Sequence, residues 1–275
     1  LLCLPMSECD QGSELYALFL KAGGTIQELN TLRKHISTIK GGGLAKCLYP
    51  ATVASLVFCD VPGDHFKEVA SGPTYFDETT IHDAEELLKK YNIKNTFTFN
   101  ETPKDEKYFT KVTNIPFVSN KEALCAMEAE AEKRGYSVIS LGDEVYDFPE
   151  VFLEKAKQRL TPHSVLVAGG ELAIKLTHGG GIGGRNLYIA SKGLQDLDDT
   201  DTLVTFASDG IDNRSPSAGA IVDKETKRKI QEKGIDNKKY HEEDKDSELF
   251  LEIGDAIITG DTGSNVSDLY LMIRN

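Results

Sequence analysis

The sequence lacks any long apolar run, and its 275 residues include no tryptophan. A membrane-spanning helix needs about 20 consecutive apolar residues, whereas the longest candidate, Ala51 to Cys59, is short and interrupted by polar residues. We therefore exclude a transmembrane span. Hydrophobic residues make up 40% of the chain and charged residues 27%, with 24 glycines and 9 prolines. These proportions exclude collagen-like, mucin-like and disordered proteins and indicate an ordinary folded protein.

Positive charge is scarce in this chain. Lys and Arg number 31 against 44 Asp and Glu, which gives a formal net charge of −13. Phosphate groups would repel such a protein, which excludes non-specific binding to nucleic acid or to an anionic membrane. We therefore expect small molecules as partners, with no nucleic acid and no membrane among them.

Cysteine is infrequent and irregularly spaced. The five cysteines form no CxxC pair, which argues against a disulfide framework or a thiolate zinc site and favours a reducing, cytoplasmic location. The first residues, Leu1 to Pro5, lack an initiator Met and the basic start of a signal peptide. We predict that they form the end of a buried strand and that the natural protein begins upstream.

Helical and strand periodicities alternate along the chain, which predicts an α/β fold. Helices are predicted over Ser13 to Ala22, Thr25 to Ile36, His82 to Tyr91, Ser119 to Arg134, Arg185 to Leu194 and Lys224 to Lys233. Strands are predicted over Ala51 to Asp60, Ile115 to Val118, Ser137 to Leu141, Ser164 to Ala168, Leu172 to Thr177, Thr202 to Ala207, Ala256 to Thr259 and Asp268 to Ile273.

The length suits two domains. The weakly periodic stretch Lys94 to Val112 resembles a connection, so we predict an N-terminal Rossmann-like α/β domain over 1–112 and a C-terminal α/β domain over 113–275. Both are expected to have mainly parallel sheets flanked by helices, with a cleft between the domains. The polar run Gly234 to Glu248 is predicted to be a solvated surface loop.

Glycine-rich turns provide the densest signal. Gly169-Gly170-Glu171 is followed by a second turn, Gly179 to Gly184, which opens a helix at Arg185. Free N–H groups at a helix N-terminus bind anions, and a guanidinium there can grip a phosphate or a carboxylate. The alternatives are a tight hairpin or flexible linker for the glycines, and a surface ion pair for Arg185.

The same glycines formally match a dinucleotide fingerprint, Gly179-x-Gly181-x-x-Gly184. The acidic partner of that fingerprint has no clear position, since Asp209 lies 25 residues beyond Gly184. A nicotinamide-dependent dehydrogenase therefore stays an alternative. No Walker A loop and no protein-kinase HRD or DFG signature occurs, so phosphoryl transfer would need another scaffold.

Compact polar turns follow several predicted strands. They are Asp60 to Asp64, Ala70 to Thr74, Ser208 to Asp212 and Thr259 to Asn265. Carboxylates at strand ends beside glycine turns suit Mg²⁺, which takes one or two protein carboxylates plus phosphate oxygens. Each turn alone is also compatible with ordinary turn chemistry.

A basic segment precedes Gly41-Gly42-Gly43. It contains Lys34, His35 and Lys40, and it could contact an acidic substrate or simply form a solvated helix face that ends at glycine. The six histidines form no Ser/His/Asp or Cys/His constellation.

Together these motifs resemble the two-domain glycerate 2-kinase family, whose C-terminal part is called the MOFRL domain. The matching segments, in order, are Glu28 to Asn30, Arg33 to His35, Ile39 to Gly42, Asp60 to Asp64, Ala70 to Thr74, Gly169 to Glu171, Gly183 to Asn186, Asp209 to Asp212, Ala218 to Gly219 and Thr262 to Val266. The resemblance implies ATP- and Mg²⁺-dependent phosphorylation of D-glycerate to 2-phosphoglycerate. Some members carry the name hydroxypyruvate reductase, which matches the alternative.

The motifs and the resemblance jointly suggest roles for individual residues. Arg185 would neutralise charge on the transferring phosphoryl group, and Asp60 would orient or deprotonate the glycerate hydroxyl. Asp209 and Asp212 are the predicted metal ligands. The predicted nucleotide and substrate contacts are Lys40, Ser71, Gly72, Thr74, Gly170, Glu171, Gly181, Gly183, Gly184, Asn186, Thr262 and Asn265. ATP and Mg²⁺ are the expected cofactors, glycerate is the expected acceptor, and a homodimer is a candidate assembly.

The chain departs from the family pattern in places. The family's N-terminal region, with an upstream catalytic lysine, has no counterpart here, so a catalytically impaired nucleotide-binding remnant is a further alternative. Gly43 replaces an arginine, Asp261 replaces a proline, and Leu187-Tyr188 replaces Gln-Glu, so contacts of those family side chains are not carried over.

Overall fold

A computed structural model of the chain describes residues 7–60, 63, 65–94, 96–174 and 182–275. The chain divides into two units, Leu1–Phe58 with His65–Phe117, and Cys59–Asp64 with Val118–Asn275. The strand expected over Leu1 to Pro5 lies outside the described residues. The predicted domain boundary after residue 112 and the predicted cleft stay predictions.

The first unit is built largely from four helices, α1 to α4. Their bounds are Ser7–Lys21, Ile26–Ile36, Gly43–Leu48 and Ile81–Lys90. Both α2 and α4 begin with a capping box, in which Thr25 pairs with Glu28 and Thr80 pairs with Asp83. These reciprocal bonds satisfy backbone N–H groups that the first helical turn leaves free. The apolar faces of α1, α2 and α4 then form one core, which includes Phe19, Leu32 and Leu88.

Two strands complete the first unit, β1 (Val53–Phe58) and β2 (Val112–Val118), and they form a two-stranded sheet. Four large apolar side chains of this sheet are exposed, namely Leu56, Phe58, Ile115 and Phe117. The rings of Phe58 and Phe117 pack against each other with centroids 5.1 Å apart. Apolar residues therefore predicted both strands, although of the apolar side chains in β1 and β2 only Val57 is buried among the described residues.

A six-stranded sheet forms the centre of the second unit, in the order β3-β4-β8-β5-β6-β7. The strands are Ser137–Ser140, Ser164–Gly170, Asp201–Ala207, Gly219–Val222, Ala256–Ile257 and Asp268–Arg274 for β3 to β8. The predicted α/β class is confirmed. The sheet is mixed, because only β3 and β4 pair in parallel and the other four pairings are antiparallel. A buried strand is a continuous apolar run whatever its direction, so the sequence pattern did not reveal this.

Six helices flank this sheet. They are α5 (Asn120–Lys133), α6 (Pro149–Arg159), α7 (Arg185–Asp196), α8 (Lys224–Lys233), α9 (Asn237–Glu242) and α10 (Asp246–Ile253). All seven residues of β4 are buried, and the main core on one side of the sheet includes Leu187 from α7, Phe250 from α10 and Tyr270 from β8. None of the helices in the described ranges is both long enough and apolar enough to cross a membrane.

Two local predictions fail in this unit. The run Gly234 to Glu248, predicted to be a solvated loop, contains α9 and the start of α10, and Asp246 and Ser247 are buried. Asp246 is tolerated there because its Oδ1 is 3.0 Å from Nδ1 of His241, a pairing that periodicity does not show. Of the strand expected over Leu172 to Thr177, residues 172–174 are not in a strand and the remainder lies outside the described residues.

Candidate active site

A cavity of about 340 Å³ opens in the second unit where β4 and β5 end. Both strands run antiparallel to β8, which lies between them, so their carboxyl ends meet the first residue of β8 at one sheet edge. Asp268 is therefore paired with Gly170 on one side and with Ala207 on the other. Polar loops converge at this edge for the same geometric reason that ligands bind at strand ends in other α/β proteins.

Arg185 is the first residue of α7 and lines the cavity. Its Nη1 donates to Oδ2 of Asp268 at 2.7 Å, and its Nη2 donates to Oε2 of Glu171 at 3.3 Å. Burial alone would lower the pKa of Arg185, but the charges of Asp268 and Glu171 raise it. The side chain is 31% exposed, so a permanently charged guanidinium is fixed in place with part of its surface toward the cavity.

Carboxylates outnumber cations around this cavity. Its described lining includes Glu171, Asp209, Asp212 and Asp268 but only one basic residue, Arg185. Burial, together with the charge of Asp268, raises the pKa of Asp212 to about 6, and burial also raises the pKa of Glu171. Such shifts mark places where like charges are held together, which are common at functional sites. The cavity therefore favours a ligand that brings positive charge with it.

Asn186 lies beneath the cavity and is fully buried. Its Nδ2 donates to Oδ1 of Asp268 at 2.9 Å and lies 3.5 Å from Oδ1 of Asp212. The backbone N–H of Leu187 donates to Oδ2 of Asp212 at 2.8 Å. The amide of Asn186 thus connects the two carboxylates, whereas the sequence suggested direct contact with a nucleotide.

The glycines before α7 have packing reasons of their own. A Cβ on Gly184 would lie 2.1 Å from Cγ of Asp212, so only glycine lets that carboxylate reach the helix N-terminus. A Cβ on Gly183 would lie 3.1 Å from the carbonyl oxygen of Asp244. Gly170 adopts φ 147° and would bring a Cβ within 2.3 Å of the carbonyl of Val145. Gly181 lies outside the described residues.

Asp209 and Asp212, the predicted metal ligands, line the same cavity. Within the described ranges no group of three or more His, Cys, Asp or Glu side chains is arranged to hold a metal ion. Oδ1 of Asp209 accepts a hydrogen bond from the N–H of Ile211 at 3.0 Å. This donor set therefore fits a Mg²⁺ ion that takes most of its ligands from phosphate and water, rather than a cage made of protein groups alone.

Two further predicted residues come from the loop before β8. Asn265 lines the cavity, and its Oδ1 accepts from the N–H of Ser267 at 2.9 Å. Thr262 ties this loop to the end of β5, because its Oγ1 donates to the carbonyl of Ser208 at 2.6 Å. The structure thus brings together the predicted residues that follow β4, open α7, follow β5 and precede β8.

The predicted residues of the first unit form a second group. The N–H groups of Gly41 and Gly42 donate to the carbonyls of Ser71 and Gly72, each at 2.9 Å. Lys40, Ser71 and Thr74 are buried, and Ser71 has φ 60°, a left-handed conformation that is rare outside glycine. These hydrogen bonds therefore join the loop of Lys40 to Gly42 with the loop of Ser71 to Thr74 inside the first unit.

Lys34 and His35 have internal partners. Lys34 Nζ lies 2.5 Å from Oδ1 of Asp77, and His35 is fully buried with its Nε2 3.2 Å from Oγ1 of Thr79. Nδ1 of His35 lies 3.0 Å from the carbonyl of Asn100. Both side chains stabilise the first unit, which explains a basic segment in an acidic protein without a substrate.

Asp60 and Asp268 differ in their relation to this cavity. Asp60 follows β1, is exposed, and is not among the residues that line the cavity. Asp268 was predicted only as the first residue of an apolar strand, yet its carboxylate binds Arg185 and Asn186. An acid at the start of the buried run Asp268 to Ile273 was the available signal, because such a charge must find partners.

Comparison with known proteins adds family evidence to this geometry. Residues 1–100 match a family described as a domain of unknown function (DUF4147), and residues 164–268 match the MOFRL family. A glycerate 2-kinase of Pyrococcus horikoshii is 35% identical over 93% of this chain and 63% of its own length. An Agrobacterium vitis relative, provisionally named a hydroxypyruvate reductase, is 33% identical over 91% of this chain and 70% of its own length.

A solved structure has the same fold. The crystal structure of a glycerate kinase from Thermotoga maritima superimposes with a TM-score of 0.84 at 28% identity, covering 97% of this chain and 67% of that one. The chain spans 63% of the length of the Pyrococcus relative. The matches, their order and the shared fold agree with one another, and the chain belongs to the glycerate 2-kinase family with a C-terminal MOFRL domain.

Proposed function

We propose that the protein is a cytoplasmic kinase that transfers the γ-phosphoryl group of ATP to D-glycerate and yields 2-phosphoglycerate. The observation that carries the proposal is Arg185, fixed at the N-terminus of α7 by Asp268 and Glu171 in a cavity rich in carboxylates. Phosphoryl transfer depends mainly on positioning and on neutralising charge. A guanidinium that is already oriented supplies both without reorganisation during the reaction.

The start of α7 would hold the phosphates. The N–H groups of the first helical turn carry partial positive charge, and Gly183 and Gly184 leave that end of the helix without bulky side chains. Arg185 would then contact a phosphoryl oxygen through the part of its guanidinium that is not bonded to carboxylates. Because Asp268 and Glu171 accept hydrogen bonds from both Nη atoms, the guanidinium of Arg185 can rotate little. It would therefore orient the phosphoryl group that it contacts.

The charge of the described lining supports a role for a divalent cation. Its four carboxylates, with one guanidinium among them, would repel a bare triphosphate. Asp209 and Asp212 would hold Mg²⁺, which when bound would neutralise negative charge on the phosphate oxygens. Burial raises the pKa of Asp212 to about 6, so below pH 6 a proton would compete with Mg²⁺ for this carboxylate.

The remaining predicted residues would serve the acceptor and the nucleotide. Asp60 would orient the glycerate hydroxyl or accept its proton. The loops of Lys40, Ser71, Gly72 and Thr74, braced by internal hydrogen bonds, would shape the site for the acidic acceptor. Asn265 and Thr262 would contact the nucleotide from the loop before β8.

The test is ADP formation by the intact natural protein supplied with D-glycerate, ATP and Mg²⁺, with the phosphorylated carbon identified by ³¹P and ¹H NMR. Glycerate-dependent ADP release with a 2-phosphate product supports the proposal. ATP binding without turnover would instead support the nucleotide-binding remnant. The intact mass of the same preparation shows whether the natural protein extends beyond 30.2 kDa.

A reductase is the second candidate, and the name of the Agrobacterium relative favours it. It would bind a nicotinamide dinucleotide at the turn that ends with Gly183 and Gly184. NADH oxidation with hydroxypyruvate, in the absence of ATP, would support the reductase instead of the kinase. Neither activity predicts the other, so the two assays separate the candidates.

A further inference from the structure

Ser267 has a backbone conformation that an L-residue rarely adopts. Its φ is 72°, and it immediately precedes Asp268, whose carboxylate holds Arg185. Left-handed conformations outside glycine persist only where the surroundings hold them in place. Ser267 also lines the cavity, so whatever fixes its backbone fixes a wall of the candidate site.

One side chain holds the carbonyl groups on both sides of Ser267. Nδ2 of Asn120 donates to the carbonyl of Val266 at 2.6 Å and to the carbonyl of Asp268 at 3.1 Å. Asn120 is the first residue of α5, far from this loop in sequence, and its side chain is buried, with 2% of the residue exposed. Both hydrogens of the Asn120 amide are thus donated to the strained segment around Ser267.

The surroundings of Asn120 are shaped for this side chain. A Cβ on Gly169 of β4 would lie 1.6 Å from Oδ1 of Asn120, so the strand leaves space that only glycine can provide. The capping box of Ser119 and Glu122 fixes the start of α5 just before Asn120. Among the described residues Oδ1 of Asn120 has no hydrogen-bond partner, so the position costs free energy that its Nδ2 bonds must offset.

The remaining contacts of Ser267 do not replace this clamp. Its N–H donates to Oδ1 of Asn265, its carbonyl accepts from the N–H of Ser208 at 3.2 Å, and its Oγ donates to the carbonyl of Gly170 at 3.1 Å. None of these three bonds involves the carbonyl of Val266 or of Asp268. Rotation about either of those peptide groups would displace the Asp268 side chain.

We propose that Asn120 is a positioning residue of the phosphoryl-transfer site: by clamping the carbonyls of Val266 and Asp268 it sets the Asp268 carboxylate, and through it the guanidinium of Arg185. The inference rests on the proposed function for its effect on turnover. Its effect on the Arg185 ion pair is independent of what the protein phosphorylates.

The first experiment measures that ion pair directly. Full-length wild type, Asn120→Ala and Asn120→Asp are treated with phenylglyoxal, and modification of Arg185 is followed by peptide mass spectrometry against the exposed Arg228 of the same molecule. Asn120→Ala should raise the relative rate at Arg185 severalfold, because a guanidinium released from Asp268 is more accessible. Asn120→Asp keeps the side-chain shape but cannot donate, so its rate should rise at least as much.

A matched control and a second-site variant separate positioning from general stability. Asn237→Ala removes the same side chain from the first residue of another helix, α9, and should leave the Arg185 rate unchanged. Ser267→Gly makes the left-handed backbone favourable without the clamp. In that background the effect of Asn120→Ala should shrink, which a double-mutant cycle measures as coupling between the two positions.

Turnover gives the second readout. If the protein is a glycerate kinase, Asn120→Ala should lower kcat by up to about 10²-fold with a smaller change in the KM for glycerate, since a misplaced group costs mainly transition-state stabilisation. An unchanged Arg185 rate in a variant that is merely less stable would overturn the positioning role. Absence of kinase turnover in wild type, with the labelling pattern intact, would reject the proposed function but retain the clamp.

Discussion

Two carboxylates that are buried almost equally, Asp77 in the first unit and Asp212 in the second, differ in the direction of their pKa shifts. Asp77 is 4% exposed and Asp212 is 3% exposed. Burial would raise the pKa of Asp77, but Lys34 and Thr79 hold it below its ordinary value. Burial, together with the charge of Asp268, raises the pKa of Asp212 to about 6, because its hydrogen bonds offset only part of this rise.

The partners explain the difference. Asp77 accepts hydrogen bonds from Lys34 at 2.5 Å, from Thr79 at 2.8 Å and from Thr102 at 3.1 Å. Asp212 has the N–H of Leu187 and a long contact to Asn186, and no cation pairs with it among the residues that the structure describes. A satisfied buried ion serves the fold, whereas an unsatisfied one in a cavity is a candidate for binding a ligand.

Removing the Asp77 carboxylate should have the largest effect on the free energy of unfolding. Asp77→Ala leaves Lys34 without its partner and frees the hydroxyls of Thr79 and Thr102, so we expect the free energy of unfolding to fall by about 3–5 kcal/mol. Urea denaturation followed by circular dichroism measures the loss. Glu86→Ala, which breaks an exposed pair with Lys89, is the matched control and should cost far less than Asp77→Ala. Equal losses in both variants would contradict the structural role of Asp77.

In the second unit the corresponding change should affect catalysis more than folding. Arg185→Ala should reduce kcat/KM for glycerate phosphorylation by about 10²- to 10³-fold, because one preorganised electrostatic contact is lost. Arg228→Ala on α8, whose partners are exposed, is the control and should leave turnover unchanged. Steady-state ADP formation provides the measurement. Full turnover in Arg185→Ala would remove Arg185 from the proposed site.

The sequence predicted the parts of this comparison that depend on local pattern. Helix α7, with Arg185 at its start, and the buried strands β4, β5 and β8 were found because apolar periodicity and glycine stops are local signals. The direction of β8 was not found, since antiparallel and parallel buried strands have the same pattern. Without that direction, nothing in the sequence indicated that Asp268 lies between the ends of β4 and β5.

The sequence also did not predict the networks of hydrogen bonds between polar side chains. Lys34 and His35 were interpreted either as part of a segment that could contact an acidic substrate or as a solvated helix face. A basic segment in an acidic chain does not reveal that Lys34 pairs with Asp77, 43 residues away. The burial of Asp246 was missed for the same reason, since its partner His241 removes the penalty that polarity suggests. Specific hydrogen bonds decide where charged residues lie, and they become visible only in the folded structure.

The pH dependence of the free energy of unfolding should have opposite signs for Asp77 and Asp212, and this effect should be smaller than the two above. The pKa of Asp212 is about 6 in the folded protein against 3.8 for an ordinary aspartate, so the folded state binds the proton more tightly. Between these values stability due to Asp212 falls as pH rises, and above pH 6 the ionised group costs about 3 kcal/mol. Asp212→Asn removes this cost, so it should be more stable than wild type at pH 8 and equal to it below pH 4.

Thermal unfolding of both proteins from pH 4 to pH 8 measures this difference, and turnover is measured in parallel. Asp212→Asn should lose most glycerate kinase activity while it gains stability, the exchange expected where a strained group serves function. Asp77 has the opposite sign, because its lowered pKa gives stability that is present above pH 3.8 and lost as pH falls through the folded value. A difference between Asp212→Asn and wild type that stays constant across this range would contradict the raised pKa of Asp212.

The smallest effect should come from removing one of several donors to the satisfied ion. Thr102→Val keeps the shape of the side chain but removes the hydroxyl that donates to Oδ2 of Asp77 and accepts from Lys104 at 2.7 Å. Lys34 and Thr79 remain, so we expect a loss of about 1 kcal/mol in the free energy of unfolding. Turnover per folded molecule should not change. A loss as large as that of Asp77→Ala would mean that the hydroxyl of Thr102, rather than the charge of Lys34, keeps the Asp77 carboxylate ionised in the interior.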